Sequence, residues 1–272
     1  MVKEIVSLKH NIMANPQKNY LSHMSRQIGY RATWDPGRPL KIGFIGKLDS
    51  SGVLAIYSSL ENEGIPMDIF VDDSTADMDF TSSDSVTISM KVSGSAPVLG
   101  SALTLSEAGV NFEFKNDEGI VFQTTGNKTS QLINLGKITK LILEKYEDGS
   151  WDEDWVVVTE LVSADSATII ISNSSGANLD LKANAGIGAS GIKITDAALD
   201  FSVARQHGST LKYIAQNGLT PLYKIMGIRD PFIGSVSVEP KDIGEKIVLT
   251  RESFRELNFN PDKPSEIESE RN

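Results

Sequence analysis

Gly186-Ile187-Gly188-Ala189-Ser190-Gly191 has the glycine spacing of a dinucleotide-binding turn. That chemistry needs a following helix whose N-terminus meets a pyrophosphate, and an acid about 20 residues on for the ribose hydroxyl. Here an alternating, strand-like segment follows and position 205 is Arg205, so the stretch reads as a β-turn. Gly43-Phe44-Ile45-Gly46-Lys47-Leu48 lacks the glycine spacing of a phosphate loop and the hydroxyl after its lysine. Asp72, Asp73, Asp77 and Asp79 offer the oxygen ligands calcium takes, but without the glycine and closing glutamate of an EF-hand; they read as a solvated loop. Trp151-Asp152-Glu153-Asp154-Trp155 mixes aromatics with acids, as sugar sites do. Its place between a helix and a strand favours a buried Trp pair with exposed acids.

The only histidines are His10, His23 and His207, and no GxSxG elbow accompanies them. They read as surface residues. With no cysteine in 272 residues there is no disulfide framework, thiolate metal site or cysteine nucleophile. The sequons at Asn127 and Asn173 matter only if the chain is exported. The residues therefore predict no catalytic site, no cofactor and no metal.

Net charge is −10, which lacks the basic footprint that nucleic-acid backbones require. Nor does it draw the chain to anionic lipid, so a membrane role must rest on apolar surface. Met1 to Pro16 is broken by Lys3, Glu4, Lys9, His10 and Asn11 and reads as no signal peptide. No apolar run reaches the roughly 18 residues of a spanning helix. The expected location is the cytoplasm.

The elements follow from periodicity. Val2 to Met13 approximates a helical face, Pro16 interrupts it, and Tyr20, Leu21, Met24 and Ile28 resume it before a stop at Gly29. Leu40 to Leu48 reads as a short strand, Leu54 to Leu60 as a short helix, and Met67 to Val71 as a strand running into the polar stretch Asp72 to Ser85. Leu132 to Tyr146 is a helix ending near Gly149. Trp155 to Val162 and Ala167 to Ile171 are β-branched runs suited to central strands. Lys212 to Ala215 and Leu222 to Ile225 close the sheet. The expected fold is α+β: one domain over 1–244 with a twisted, mainly antiparallel sheet and a few flanking helices, then a charged tail over 245–272.

Two regions, 85–123 and 165–204, alternate apolar with small polar residues over lengths that approach the roughly 9–11 residues of a membrane strand. The lipid-facing candidates are Val86, Ile88, Met90, Val92, Val110, Phe112, Phe114, Leu179, Leu181, Ile192, Ile194, Leu199, Phe201 and Val203. A half-buried soluble sheet shows the same alternation.

The order Gln27-Ile28-Gly29-Tyr30, Pro36, Pro39-Leu40 and Ile45-Gly46-Lys47-Leu48 resembles the start of bacterial gasdermins, as do the length and the short charged end. The family's N-terminal cysteine for lipidation has no counterpart here. The resemblance implies a pore former of bacterial defence, non-enzymatic, held inactive by its C-terminal segment. A protease would release it to form homo-oligomeric pores in the inner-membrane lipid. On that logic Phe254, Leu257 and Phe259 dock the segment on the sheet. The rival readings are a binding or assembly module that uses a sheet edge or the tail, and an enzyme whose site is assembled from scattered Asp, Glu, Ser and His.

Overall fold

The computed structural model describes residues 15–82, 84–185, 187, 191–229 and 253–257. In chain order these form α1 (Pro16–Ile28), β1 (Arg31–Ala32), β2 (Phe44–Leu48), β3 (Leu54–Ser59), β4 (Ile69–Thr81), β5 (Val86–Lys91), β6 (Gly109–Phe114) and β7 (Ile120–Leu132). They continue with α2 (Leu135–Glu147), β8 (Val156–Ser172), β9 (Asn178–Ala183), a 3-10 turn (Ala197–Leu199), β10 (Phe201–His207), β11 (Thr210–Arg229) and β12 (Ser253–Glu256). The fold is α+β with antiparallel sheets, as the periodicity predicts.

The larger sheet runs β4-β7-β8-β11, with β1 and β12 on the outer edge of β11 and the β2–β3 hairpin on the start of β8. The smaller sheet runs β10-β9-β6-β5. The β-branched run of β8 explains the layering. Successive side chains of a strand point to opposite faces. Ile169 and Ile171 pack with Tyr20, Leu21 and Met24 of α1, while Ile170 packs with Phe112, Phe114 and Leu179 of the smaller sheet. The larger sheet is thus the middle layer, which is why β8 lacks a polar face over this stretch.

The helix ends have local causes. Asn15 caps α1, its Oδ1 accepting from the N–H groups of Gln17 and Lys18 at 3.1 and 3.2 Å, with Pro16 at the first helical position. Gly29 ends it at φ 73° and donates to the Ser25 carbonyl at 2.9 Å. α2 buries Ile138 and Ile142 against Ile45, Leu60 and Trp151.

Several local expectations are corrected. Leu54–Ser59 is a strand, β3, because its pairing with β2 outweighs weak local helix propensity. The acidic stretch after Val71 is part of the edge strand β4, held by the β7 ladder rather than by burial. The β-branched runs before and after Ser163 form a single strand of 17 residues, and the two runs after Thr210 form one of 20. Residues 1–14, and the boundary at 244/245, lie outside the described residues.

Candidate functional site

The predicted lipid-facing residues converge on the smaller sheet. Its four strands form two excursions from the larger sheet. The chain leaves β4, forms β5 and β6, and returns as β7, which pairs with β4. It then leaves β8, forms β9 and β10, and returns as β11, which pairs with β8. Both excursions therefore start and end on neighbouring strands.

The register sorts the side chains by face. Ile88, Phe112 and Leu179 lie in one row across β5, β6 and β9; Met90, Val110, Leu181 and Val203 lie in the next. With Val86 and Phe114 they form the face that packs on Val121 and Ile170 of the larger sheet. Each such side chain fully buried contributes about 1.5–3 kcal/mol. Met90 and Val203, at the two edges of the small sheet, share this face yet are half exposed, at 52% and 45%. Phe201 is half-buried against the same cluster.

Four residues of this set depart from the expected strands. Ile192 and Ile194 are not in a strand. They are buried in an irregular segment laid along β8, where Thr168 Oγ1 donates to the Ile194 carbonyl at 2.7 Å and Ser166 Oγ to that of Thr195. Leu199 is buried in the 3-10 turn, and Val92 lies beyond the end of β5. The phase breaks in the alternation mark these departures, which an unbroken strand would not show.

The outer face of the small sheet is polar. Thr87, Ser89 and Lys91 on β5 register with Glu113, Asn111 and Gly109 on β6, which register in turn with Asn178, Asp180 and Lys182 on β9. Asp180, fully buried, organises it. Its carboxylate accepts from Asn111 Nδ2 at 2.6 Å and the Ala102 N–H at 2.8 Å, and it pairs with Arg205 Nε at 3.4 Å. The Ala102 bond pins the 92–108 connection over this face. Leu103 sits above Gly109, where a Cβ would fall 2.6 Å from Leu103 Cδ1 and 2.1 Å from the Leu181 carbonyl. Lys91 is buried beneath, with no hydrogen-bond partner for its Nζ.

The 92–108 connection and the chain after β9 leave the same end of the sheet, since Gly109 registers with Lys182. Val92 to Ser106 contains no charged residue, and Leu99 at its tip is fully exposed. At the opposite end the chain crosses between sheets at a seam of small polar residues. Ser82 Oγ accepts from the Ile120 N–H at 2.8 Å, and Ser174 Oγ accepts from the Ser209 N–H at 2.9 Å. Gly208 turns there at φ 76°, and a Cβ on it would meet Ser174 Oγ at 2.6 Å.

The C-terminal contact residues fall on the other side of the molecule. β12 pairs antiparallel with Met226–Arg229 of β11. Phe254 is buried with Ile138, Ile142 and Trp151, and Leu257 with Val156, Tyr223 and Ile225. Tyr30, beside this strand, has its phenol pushed above the usual range by burial and by its hydrogen bond to Glu160. Phe259 lies outside the described residues.

The motifs that could do chemistry do not converge. Trp151 is buried and meets Trp155 edge-on at 5.2 Å, while Asp152 holds Lys47 at 2.6 Å. His23 lies on α1 near Phe80, and His207 is exposed at the end of β10. Among the described residues no group of three or more His, Asp or Glu is placed to hold a metal, and no helix is long and apolar enough to cross a membrane. Most of Gly186 to Gly191 lies outside the described residues.

No family model and no curated protein matches the chain. Among solved structures, one that it resembles is the gasdermin A3 membrane pore, at 12% identity and a TM-score of 0.33, over 81% of this chain and 96% of that one. That is a distant likeness at the level of the fold, and what the chain does must be read from its own geometry.

Proposed function

We propose that the chain is a latent pore former. One observation carries the reading: both excursions into the small sheet begin and end on adjacent strands of the larger one. If the seam opens, β5 continues β4, β6 leads into β7, β9 continues β8 and β10 leads into β11. Four neighbouring strands then lengthen together into two amphipathic hairpins. Their apolar face exchanges the protein core for hydrocarbon, two environments of similar polarity. Their polar face lines water. Pairing between copies satisfies the backbone groups, which lipid cannot do. The uncharged Val92 to Ser106 tip is the cheapest kind of segment to carry across a bilayer.

The trigger in this reading is loss of the C-terminal strand, through cleavage by a protease in the cytoplasm, after which copies assemble on the inner membrane. No residue is catalytic. The experiment is dye release from liposomes by the full chain carrying a protease site between Arg229 and Ser253. Release only after cutting supports the reading. A stable complex with a partner protein and no release, cut or uncut, favours an assembly module that uses the outer edge of β4, which pairs with no other strand among the described residues.

A further inference from the structure

A lysine is seldom buried without a partner, because apolar surroundings cannot satisfy its donors. Lys91, the last residue of β5, is such a case. It is 1% exposed, and among the described residues its Nζ has no hydrogen-bond partner. Thr87, Ser89 and Lys91 alternate along the polar face of β5. Thr87 is exposed and Ser89 half-buried. Lys91 differs because the 92–108 connection lies over its end of the face.

That cover supplies no charge to match it. Val92 to Ser106 contains no charged residue. Leu103 is buried above Gly109, which registers with Lys91 and has no side chain to offer. The acids of this end of the sheet are committed elsewhere. Glu107 pairs with Lys182 at 3.5 Å and accepts from the Thr104 N–H at 2.9 Å. Asp180 accepts from Asn111 and from the Ala102 N–H and pairs with Arg205. The contacts that close the cover are thus the ones that occupy the acids.

We infer that Lys91 is a built-in spring: its unpartnered burial destabilises the closed small sheet, and lifting of the 92–108 connection relieves it by giving the amino group to water. The inference rests on the pore-forming reading and names what favours opening in it. A buried donor without a partner costs free energy that hydration restores. In the lengthened hairpin Lys91 lies with Thr87 and Ser89 on the face that lines water, so its burial is confined to the latent state. The apolar residues of the same strand exchange one apolar environment for another and supply no such difference. In this reading the docked tail holds the chain closed against the bias.

Two measurements on the full chain with the protease site between Arg229 and Ser253 test it. An amine-acylating reagent with peptide mass mapping compares Lys91 with Lys140, whose side chain is 78% exposed. In the uncut chain Lys140 is expected to react and Lys91 to resist; in the cut chain on liposomes both should react. Lys91→Met keeps an unbranched side chain and removes the donors. It is expected to raise the urea midpoint of the uncut chain and to slow dye release by the cut chain roughly tenfold, near the lower end of what relief of an unpartnered buried group is worth. Lys91 reacting as fast as Lys140 in the uncut chain overturns the burial on which the inference stands. Release by the cut chain with Lys91 still protected overturns the lifting of the connection. A lower urea midpoint for Lys91→Met, or release as fast as the parent's, overturns the driving role while the pore reading stands. No release by the cut parent overturns both.

Discussion

Leu257 donates its backbone N–H to the Ile225 carbonyl at 3.0 Å, which joins the C-terminal segment to the edge of β11, the longest strand among the described residues. The bond is local, but its position is not. β11 runs from this edge to the seam where the chain crosses from the small sheet. One strand therefore reports to both the tail and the hairpins.

Docking of the tail depends on Phe254, which is buried with α2 and Trp151. Phe254→Ala is expected to weaken it by about 3–5 kcal/mol, the usual cost of truncating a buried phenylalanine. The uncut variant should then release liposome contents where the uncut parent does not. Leakage kinetics of the two uncut chains check this.

The hairpin face is tested at its exposed members. Met90→Lys and Val203→Lys change side chains that already touch water, so folding stability should move by no more than about 0.5 kcal/mol. In a bilayer a lysine on the lipid face costs about 2–4 kcal/mol near the midplane. The cut variants should melt normally and fail to release dye. Ser89→Lys, on the polar face, should remain active.

Asp180 anchors the tip connection through Ala102 while it holds Asn111 and Arg205. Asp180→Ala takes the shorter of its two hydrogen bonds from the buried Asn111 amide, leaving the 3.3 Å bond to Asn178, and unpins the connection. A loss of about 3 kcal/mol is expected, read by urea unfolding. Limited proteolysis should find new cuts within 92–108.

The Lys47–Asp152 pair joins β2 to the segment before β8 and titrates with acid. The Lys47 hydrogen bond holds the Asp152 carboxyl below its ordinary value, against an opposing push from burial. A depressed carboxylate contributes stability that is full above its unfolded pKa and is lost as pH falls through the folded one. The gap in melting temperature between the parent and Lys47→Met should therefore be present at about pH 6 and close by about pH 2.

Much of this was legible in the sequence where one face decides the structure. The alternation of Val86, Ile88 and Met90, and of Val110, Phe112 and Phe114, marks strands because one side is buried and the other wet. Gly29 stops α1 as its residue type predicts. Phe254 and Leu257 stand out as apolar residues in a charged end, and both are buried. What stayed hidden depends on distant partners. The acids of β4 carry no alternation, because both faces of an edge strand are exposed and only the β7 ladder defines it. Leu54–Ser59 has apolar residues without a period, so pairing with β2 decides its form. Ser163 and Asp165 split β8 into two apparent runs, yet β7 and β11 pair across the break.

The most direct test follows the small sheet itself. Single cysteines placed in turn from Thr87 to Met90, each carrying an environment-sensitive dye, report water or lipid at each position when the cut chain meets liposomes. The account predicts that emission at Ile88 and Met90 becomes lipid-like while Thr87 and Ser89 stay water-like. Unchanged emission at all four positions, with dye released from the same liposomes, would contradict it.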